Sequence, residues 1–330
     1  MGIIFVILWL IDDSLNLKAT MLSSEKQDYY CVVTPCFTNV DGTCEYESYV
    51  TIYGAEPKVW SLNFSESKNE TETLSVKGFE HLHTANVVEK TLILTGIDSK
   101  GTYQCFKYDG DKIISKIKLE TLPYKSYPLG NTVALLFVKD DSTCELYKAD
   151  FESGELQLIS DCVYCNSNAD SVISDLYGSA NVFTYQNVIF YKIGTGTWNF
   201  QFGDTERSYE LDGICGGFSD EDTVVFYREI TNNAPLYSIK SHRFFKVGKI
   251  EKISLPNGKI KESKTLKLPS DILNFFAYPG YNEVLIEYGN LDDTANGMII
   301  NLDDYSYKTM HWYPPIYSNI QICDENPATF

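Results

Sequence analysis

Four short apolar runs constrain this chain more than any other feature: TVALLFV from Thr132, VIFY from Val188, TVVFY from Thr223 and EVLIEY from Glu283. Each is rich in β-branched and aromatic residues, which suits a pleated strand. Three of them lead through a polar turn into another strand-like run, as in ELYKAD from Glu145 and GMIINLD from Gly297. One long hairpin is almost spelled out, Lys249 to Leu255, then Pro256-Asn257-Gly258, then Lys259 to Leu266, because a Pro-Asn-Gly turn flanked by alternating residues favours two antiparallel strands. No long stretch repeats apolar residues at helical spacing. Residues 132–330 are therefore expected to be all-β, built from antiparallel meandering strands.

The first third carries a different signal. In LILTGIDSKGTYQC, Leu92 to Cys105, a polar turn ending at Gly101 is followed by Tyr103 and Cys105, two residues apart and so on one face of a strand. Upstream lie Cys44 and Trp60. Together these residues resemble the immunoglobulin superfamily, over residues 27–122. The resemblance implies a β-sandwich in which Val87 to Thr95 is strand E and the Tyr103 segment strand F. Cys44 and Cys105 would then form the inter-sheet disulfide, and Trp60 and Tyr103 would belong to the structural core. The acid of the corner, Asp98, comes one place earlier than that family expects. The plainer alternative is that Tyr103 and Cys105 share an ordinary strand. After Cys105, Asp109-Gly110 marks a hairpin turn, and Ile113, Ile117 and Leu119 are expected on one face of a final strand. Pro123, Pro128 and Gly130 mark residues 123–131 as a linker.

The expected architecture is thus all-β: an N-terminal immunoglobulin-like sandwich followed by a larger antiparallel domain. Units of roughly 40 to 60 residues in that second domain match propeller blades, about four of them. A second sandwich is the alternative.

Several features point outside the cell. The apolar run from Gly2 to Ile11 is too short to span a bilayer and fits the core of a signal peptide over residues 1–19. Asn63 and Asn69 head two glycosylation sequons. The last residues carry no hydrophobic anchor, so no stable membrane anchor is expected. Nine cysteines suit an oxidising compartment. Beyond Cys44 with Cys105, they allow Cys31 with Cys36 and Cys144 with Cys162, while Cys162-Val-Tyr-Cys165 also has the spacing of a redox or zinc pair. The net charge is −18; residues 20–127 hold 11 basic and 15 acidic side chains, and residues 128–330 hold 15 and 28. Such acidity disfavours nucleic acid as a partner.

Enzymatic motifs are sparse. His81 and His83 would face one side of a strand and could serve a metal with a third ligand, but an exposed loop is the simpler reading, and no metal or cofactor is expected. GICGGF from Gly213 and IGTGTWNF from Ile193 read as turns. The chain contains no nucleophile elbow, metalloprotease helix or phosphate loop. Against the acidic background stands a basic strip: Arg243, Lys246, Lys249, Lys252, Lys259, Lys261, Lys264 and Lys267, with only Glu251 and Glu262 among them. It could meet a sulfated glycan or an acidic protein surface, or its lysines could guard an edge hairpin against aggregation. The expected function is non-enzymatic: a secreted glycoprotein that binds an extracellular protein partner as a ligand, adhesion component or decoy receptor. A secreted propeller hydrolase, such as a glycosidase with an appended binding module, is the alternative.

Overall fold

In the computed structural model every described regular element is a β-strand. Residues 78–164 and 181–312 are described apart from short connecting segments, together with strands at 30–33, 44–46, 49–51, 58–63, 71–75 and 321–323. The proposed signal peptide and Asn69 lie outside the described residues, as do the side chains of Cys44, Trp60, Asn63 and Arg243.

In chain order the strands are β1 (Tyr30–Val33), β2 (Cys44–Tyr46), β3 (Tyr49–Thr51), β4 (Lys58–Asn63) and β5 (Thr71–Ser75). Then come β6 (His81–Val88), β7 (Thr91–Ile97), β8 (Tyr103–Asp109) and β9 (Lys112–Lys118). They are followed by β10 (Lys125–Leu129), β11 (Thr132–Val138), β12 (Thr143–Asp150), β13 (Glu155–Tyr164), β14 (Val182–Tyr185), β15 (Val188–Lys192), β16 (Thr197–Phe202) and β17 (Thr205–Glu210). The remainder are β18 (Ile214–Asp220), β19 (Thr223–Glu229), β20 (Leu236–Ser238), β21 (Arg243–Ser254), β22 (Lys259–Pro269), β23 (Ile272–Tyr278), β24 (Glu283–Tyr288), β25 (Ala295–Asn301), β26 (Tyr307–Trp312) and β27 (Gln321–Cys323).

These strands pair into antiparallel sheets of one recurring kind. The orders β6-β7-β8-β9, β10-β11-β12-β13, β14-β15-β16-β17 and β23-β24-β25-β26 are simple meanders of four strands. The sheet between the last two has β18, β19, β21 and β22 side by side, with β20 pairing along β21 beyond the end of β19. A further sheet has the order β27-β1-β4-β5, so the last strand completes a sheet begun by the first. A two-residue hairpin joins the first strand to the second in three meanders, and its first residue has a positive φ each time: Glu89 (53°), Gly130 (58°) and Gln186 (50°). Left-handed backbone at that place matches the twist of the paired strands.

The apolar runs are the second strands of these sheets, β11, β15, β19 and β24, and LILTG in β7 is a fifth. They read as continuous rather than alternating because both of their faces are buried. In β11, Val133, Leu135 and Phe137 pack with Val88, Ile93, Cys105 and Ile117 of the preceding sheet. Ala134 and Leu136 point the other way, toward Val182, Ile189 and Tyr191 of the following one. Each such side chain contributes about 1.5–3 kcal/mol on burial. Between two of the sheets the buried Asn86 amide donates to the Ser126 hydroxyl at 2.5 Å.

The described strands fall into two compact units, and the division comes within β17, after Ser208. One contains β1 to β16 with β27; the other contains β18 to β26 and is held by Val225, Tyr227, Ile250, Leu266 and Leu268 packed on Phe275, Val284, Ile286 and Ile300.

Two expectations change here. Residues 123–131 are not a plain linker, because β10 takes up Lys125–Leu129 within them and Pro128 is paired in register with Val133. Proline is tolerated there because β10 is an end strand of its sheet and needs no donor on its free side. The strands assigned as E and F of a sandwich are neighbours in one sheet, with Leu94 opposite Phe106 and Thr95 opposite Cys105; in an immunoglobulin domain they lie in opposing sheets. The turn between them explains the early acid. The Asp98 carboxylate accepts from the backbone N–H of Lys100 (2.9 Å) and Thr102 (3.0 Å), and Gly101 takes φ +74°. This is hairpin chemistry.

Candidate functional site

The basic strip forms the hairpin β21–β22, which closes through Leu255 to Gly258. There the Gly258 N–H donates to the Ser254 carbonyl (2.7 Å) and the Lys259 N–H to the Asn257 side-chain oxygen (2.9 Å). Gly258 has φ +66°, and a Cβ on it would lie 2.5 Å from the Tyr209 ring. The Tyr209 hydroxyl in turn donates to the Leu255 carbonyl, so the turn is fixed from both sides.

Most of the strip's charge is already engaged. Lys246 pairs with Glu229 at 3.0 Å. Lys252, whose side chain is only 15% exposed, pairs with Glu262 at 3.2 Å and donates to the Leu302 carbonyl at 3.2 Å. Lys261 holds Asp222 at 2.7 Å and the Thr223 hydroxyl at 2.6 Å. Lys264 lies over the Tyr305 ring. Lys267 is buried over the Phe245 ring, 4.6 Å from its centroid, and burial lowers its pKa. Lys267 is therefore separated from the exposed Lys259 and Lys261. Arg243 opens β21. Among the described residues, only Lys249 and Lys259 of the strip's lysines have neither an ion pair nor a ring contact.

The acids that quench the strip come from neighbouring strands as well as from the hairpin. Hydrogen bonds from Lys261 and then Thr223 hold the Asp222 carboxyl down at about 2. Burial alone would raise Glu262, but the Tyr305 hydroxyl, donating at 2.7 Å, and Lys252 outweigh it and keep that carboxyl below its usual range. Glu251 is buried between the Arg228 guanidinium (3.3 Å) and the Ser263 hydroxyl, which donates at 3.2 Å. These groups close on one another and tie the hairpin to the Asn301–Tyr305 turn, which is a structural role.

Other candidate residues are placed as follows. Cys105 carries a free, fully buried thiol whose pKa is raised by desolvation, so its bridge to Cys44 is not made. Its inward position is that of an apolar residue in a two-sided sheet. Tyr103 is half-buried beside the same cluster. Trp60 and Asn63 lie in β4. Cys162 is free and exposed while Cys144 is disulfide-bonded, so these two do not pair. Cys144 faces Val163 in register, which puts Cys162 on the opposite side of the strand. His83 is not on an exposed loop: it is half-buried in β6, with Nε2 2.5 Å from the Pro123 carbonyl oxygen, and desolvation of the ring lowers its pKa to about 4. Among the described residues no group of three His, Cys, Asp or Glu side chains could hold a metal ion. GICGGF forms the start of β18 rather than a turn, whereas Ile193 to Thr197 is a turn, closed by the Ile193 N–H on the Thr197 carbonyl.

A different edge is open. β9, KIISKIK, is the outer strand of its sheet. Its register shifts between Lys107–Ser115 and Tyr108–Ile113, so Ile114 is an extra residue, a β-bulge. The bulge separates Ile113 from the face shared by the buried Ile117 and Leu119 and leaves it beside Gly78 and the Phe106 ring. Ile113 and Ile114 remain 44% and 53% exposed. Lys112, Lys116 and Lys118 are exposed too, and none takes part in an ion pair among the described residues. The available signal for this edge was its two consecutive isoleucines, which break strict alternation.

No family model matches the chain, and no curated protein matches it. The structure is similar to TolB from Acinetobacter baumannii, with TM-score 0.50 and 9% identity over 94% of this chain and 68% of that one. It is also similar to an uncharacterized protein from Listeria monocytogenes EGD-e, with TM-score 0.50 and 8% identity over 92% of this chain and 87% of that one. At such identity the likeness shows the fold alone, an antiparallel all-β fold shared with proteins of the β-propeller kind. No helix among the described residues is long and apolar enough to cross a membrane.

Proposed function

We propose that this chain is a secreted propeller-type glycoprotein that works by binding an extracellular protein partner. One observation carries the reading: Ile113 and Ile114 stand next to each other in solvent on the outer strand β9, whereas the other exposed large apolar side chains, such as Val138, Leu158, Phe202 and Ile260, stand singly. Adjacent apolar groups on a strand edge provide contact area for another protein. The short apolar leader and the sequons at Asn63 and Asn69 support the secretory route, and the glycans would modify a surface used outside the cell. A sulfated glycan is the less favoured ligand, because the hairpin lysines that would hold it are largely paired within the protein.

The test is to express the full chain in a eukaryotic secretory host and cross-link the purified product to a panel of extracellular proteins, with heparin in a parallel arm. The expected result is export with glycans on both asparagines and one saturable protein partner cross-linked through outer-strand residues. Retention on heparin alone, or no saturable protein partner, would overturn the reading.

A further inference from the structure

Resting on the binding reading above, we propose that the outer edge of β9 is the docking site for an extended acidic segment of a partner protein, one with apolar side chains between its carboxylates. Three observations converge on it. First, Ile113 and Ile114 are adjacent and both about half exposed, an arrangement that the bulge produces by placing an extra residue in the strand. Regular alternation would have turned one of them inward. Second, Lys112, Lys116 and Lys118 flank the isoleucines and stay outside every ion pair among the described residues, with Asp109 opposite Lys112 as the acid facing them in register. Lys107, on the adjoining strand, reaches away to the Asn131 carbonyl and the Phe151 ring. Third, β9 has β8 on one side and no strand on the other among the described residues, so its outer donors and acceptors can pair with an added strand.

Edge lysines alone have a simpler explanation, since they discourage strand-to-strand aggregation. That explanation covers Lys112, Lys116 and Lys118 but not two exposed isoleucines, which work against it. The charge also selects the occupant. The chain carries −18 overall, so a basic partner would be drawn to most of its surface, whereas an acidic one is attracted only where unpaired cations concentrate. An added strand would set carboxylates opposite lysines and apolar side chains beside the isoleucines, the pairs that stabilise neighbouring strands. The Ile114 bulge interrupts the ladder, so main-chain pairing is centred on Ser115 to Lys118 and the isoleucines anchor one end.

Fluorescence anisotropy with the full chain tests this. The probes are a labelled ten-residue peptide of alternating glutamate and valine, one of alternating lysine and valine, one of alternating glutamate and serine, and vesicles of phosphatidylserine and phosphatidylcholine. The glutamate–valine peptide is expected to bind saturably, more tightly than either other peptide, and to weaken as salt rises from about 0.05 to 0.5 M. Ile114→Ser should weaken it about tenfold, and Lys116→Glu with Lys118→Glu should weaken it at least as much, with denaturation midpoints unchanged for both proteins. The inference is overturned by equal binding of the lysine–valine peptide, by binding indifferent to both variants, by vesicles retaining the protein where the peptide does not, or by a dimer that Ile114→Ser dissociates. If the cross-linked partner of the previous section still binds the variants, this site fails while the binding reading stands. If no partner is captured at all, the reading itself fails.

Discussion

The two edge strands β9 and β22 read almost alike, KIISKIK and KIKESKTLKLP, yet they sit in different electrostatic settings. Around β22, Glu229, Asp222, Glu262 and the Leu302 carbonyl take up the lysines of the hairpin, and Lys267 is buried on an aromatic ring. Around β9 nothing described does the same. Lysine on an edge strand thus has two fates: it becomes part of the packing where a neighbouring turn brings acids to it, and it remains available where none arrives. Local sequence cannot tell these apart, because Asp222 reaches Lys261 of β22 from the turn before β19, and Glu229 reaches Lys246 of β21 from the end of β19.

The sharpest contrast between the regions is their response to acid. Desolvation of the ring holds His83 neutral in the sheet that carries β9, with its pKa lowered to about 4. Because the folded value lies below the unfolded one near 6.5, its contribution is complete above pH 6.5 and is lost as pH falls toward 4. The loss is about 3 kcal/mol. Denaturant titrations at pH 7 and pH 4.5 should show most of it, and His83→Gln should flatten the difference; an unchanged slope in that variant would place the pH sensitivity elsewhere. Asp222, mostly exposed beside Lys261, also has a depressed pKa, but its contribution disappears only from about pH 4 down toward 2 and stays under about 1 kcal/mol after solvent screening.

Next in size is the turn that fixes the hairpin. Gly258→Ala puts a side chain at positive φ against the Tyr209 ring and should cost about 2 kcal/mol by chemical denaturation. The same change at Gly101, where φ is also positive but a Cβ would meet nothing within 4 Å, should cost only about 1 kcal/mol. Equal costs would mean that Tyr209 moves aside.

The smallest effects decide the lysines. Lys252→Met removes the ion pair of the partly exposed Glu262 and the hydrogen bond to the Leu302 carbonyl, and should destabilise by about 1 kcal/mol. Lys116→Met on β9 should stay within about 0.5 kcal/mol while reducing the affinity for the acidic peptide. A large stability loss at Lys116 would remove the distinction on which the docking site depends.

Much of the fold was legible for one physical reason. A second strand packed on both faces must be apolar at consecutive positions, so TVALLFV, VIFY, TVVFY and EVLIEY announce themselves. The outer strands do not. TERSYE in β17 is almost wholly exposed and looks like a loop, and the turns at Glu89-Lys90 and Gln186-Asn187 lack the glycine that would mark them. The Tyr103 and Cys105 spacing is not specific to one fold, because any strand leaving a tight turn puts alternate residues on one face. Cys105 faces inward as an immunoglobulin cysteine would, but toward Val133 and Leu135 rather than toward a second sulfur. The β9 edge was visible only as residues, since the bulge that opens it depends on pairing with β8.

The pairing of β27 with β1 has a kinetic side. Tyr30 lies opposite Cys323 and Cys31 opposite Ile322, so the first described strand has a neighbour in the last described one. Until that late segment emerges, β4 is the one described strand that β1 can bond, and its other rim stays open to whatever strand it meets. The entropy of closing so long a loop grows only slowly with length. That rim is closed only once Gln321–Cys323 is in place, so the sheet β27-β1-β4-β5 is completed later than any of the four-stranded meanders, whose strands are consecutive in the chain.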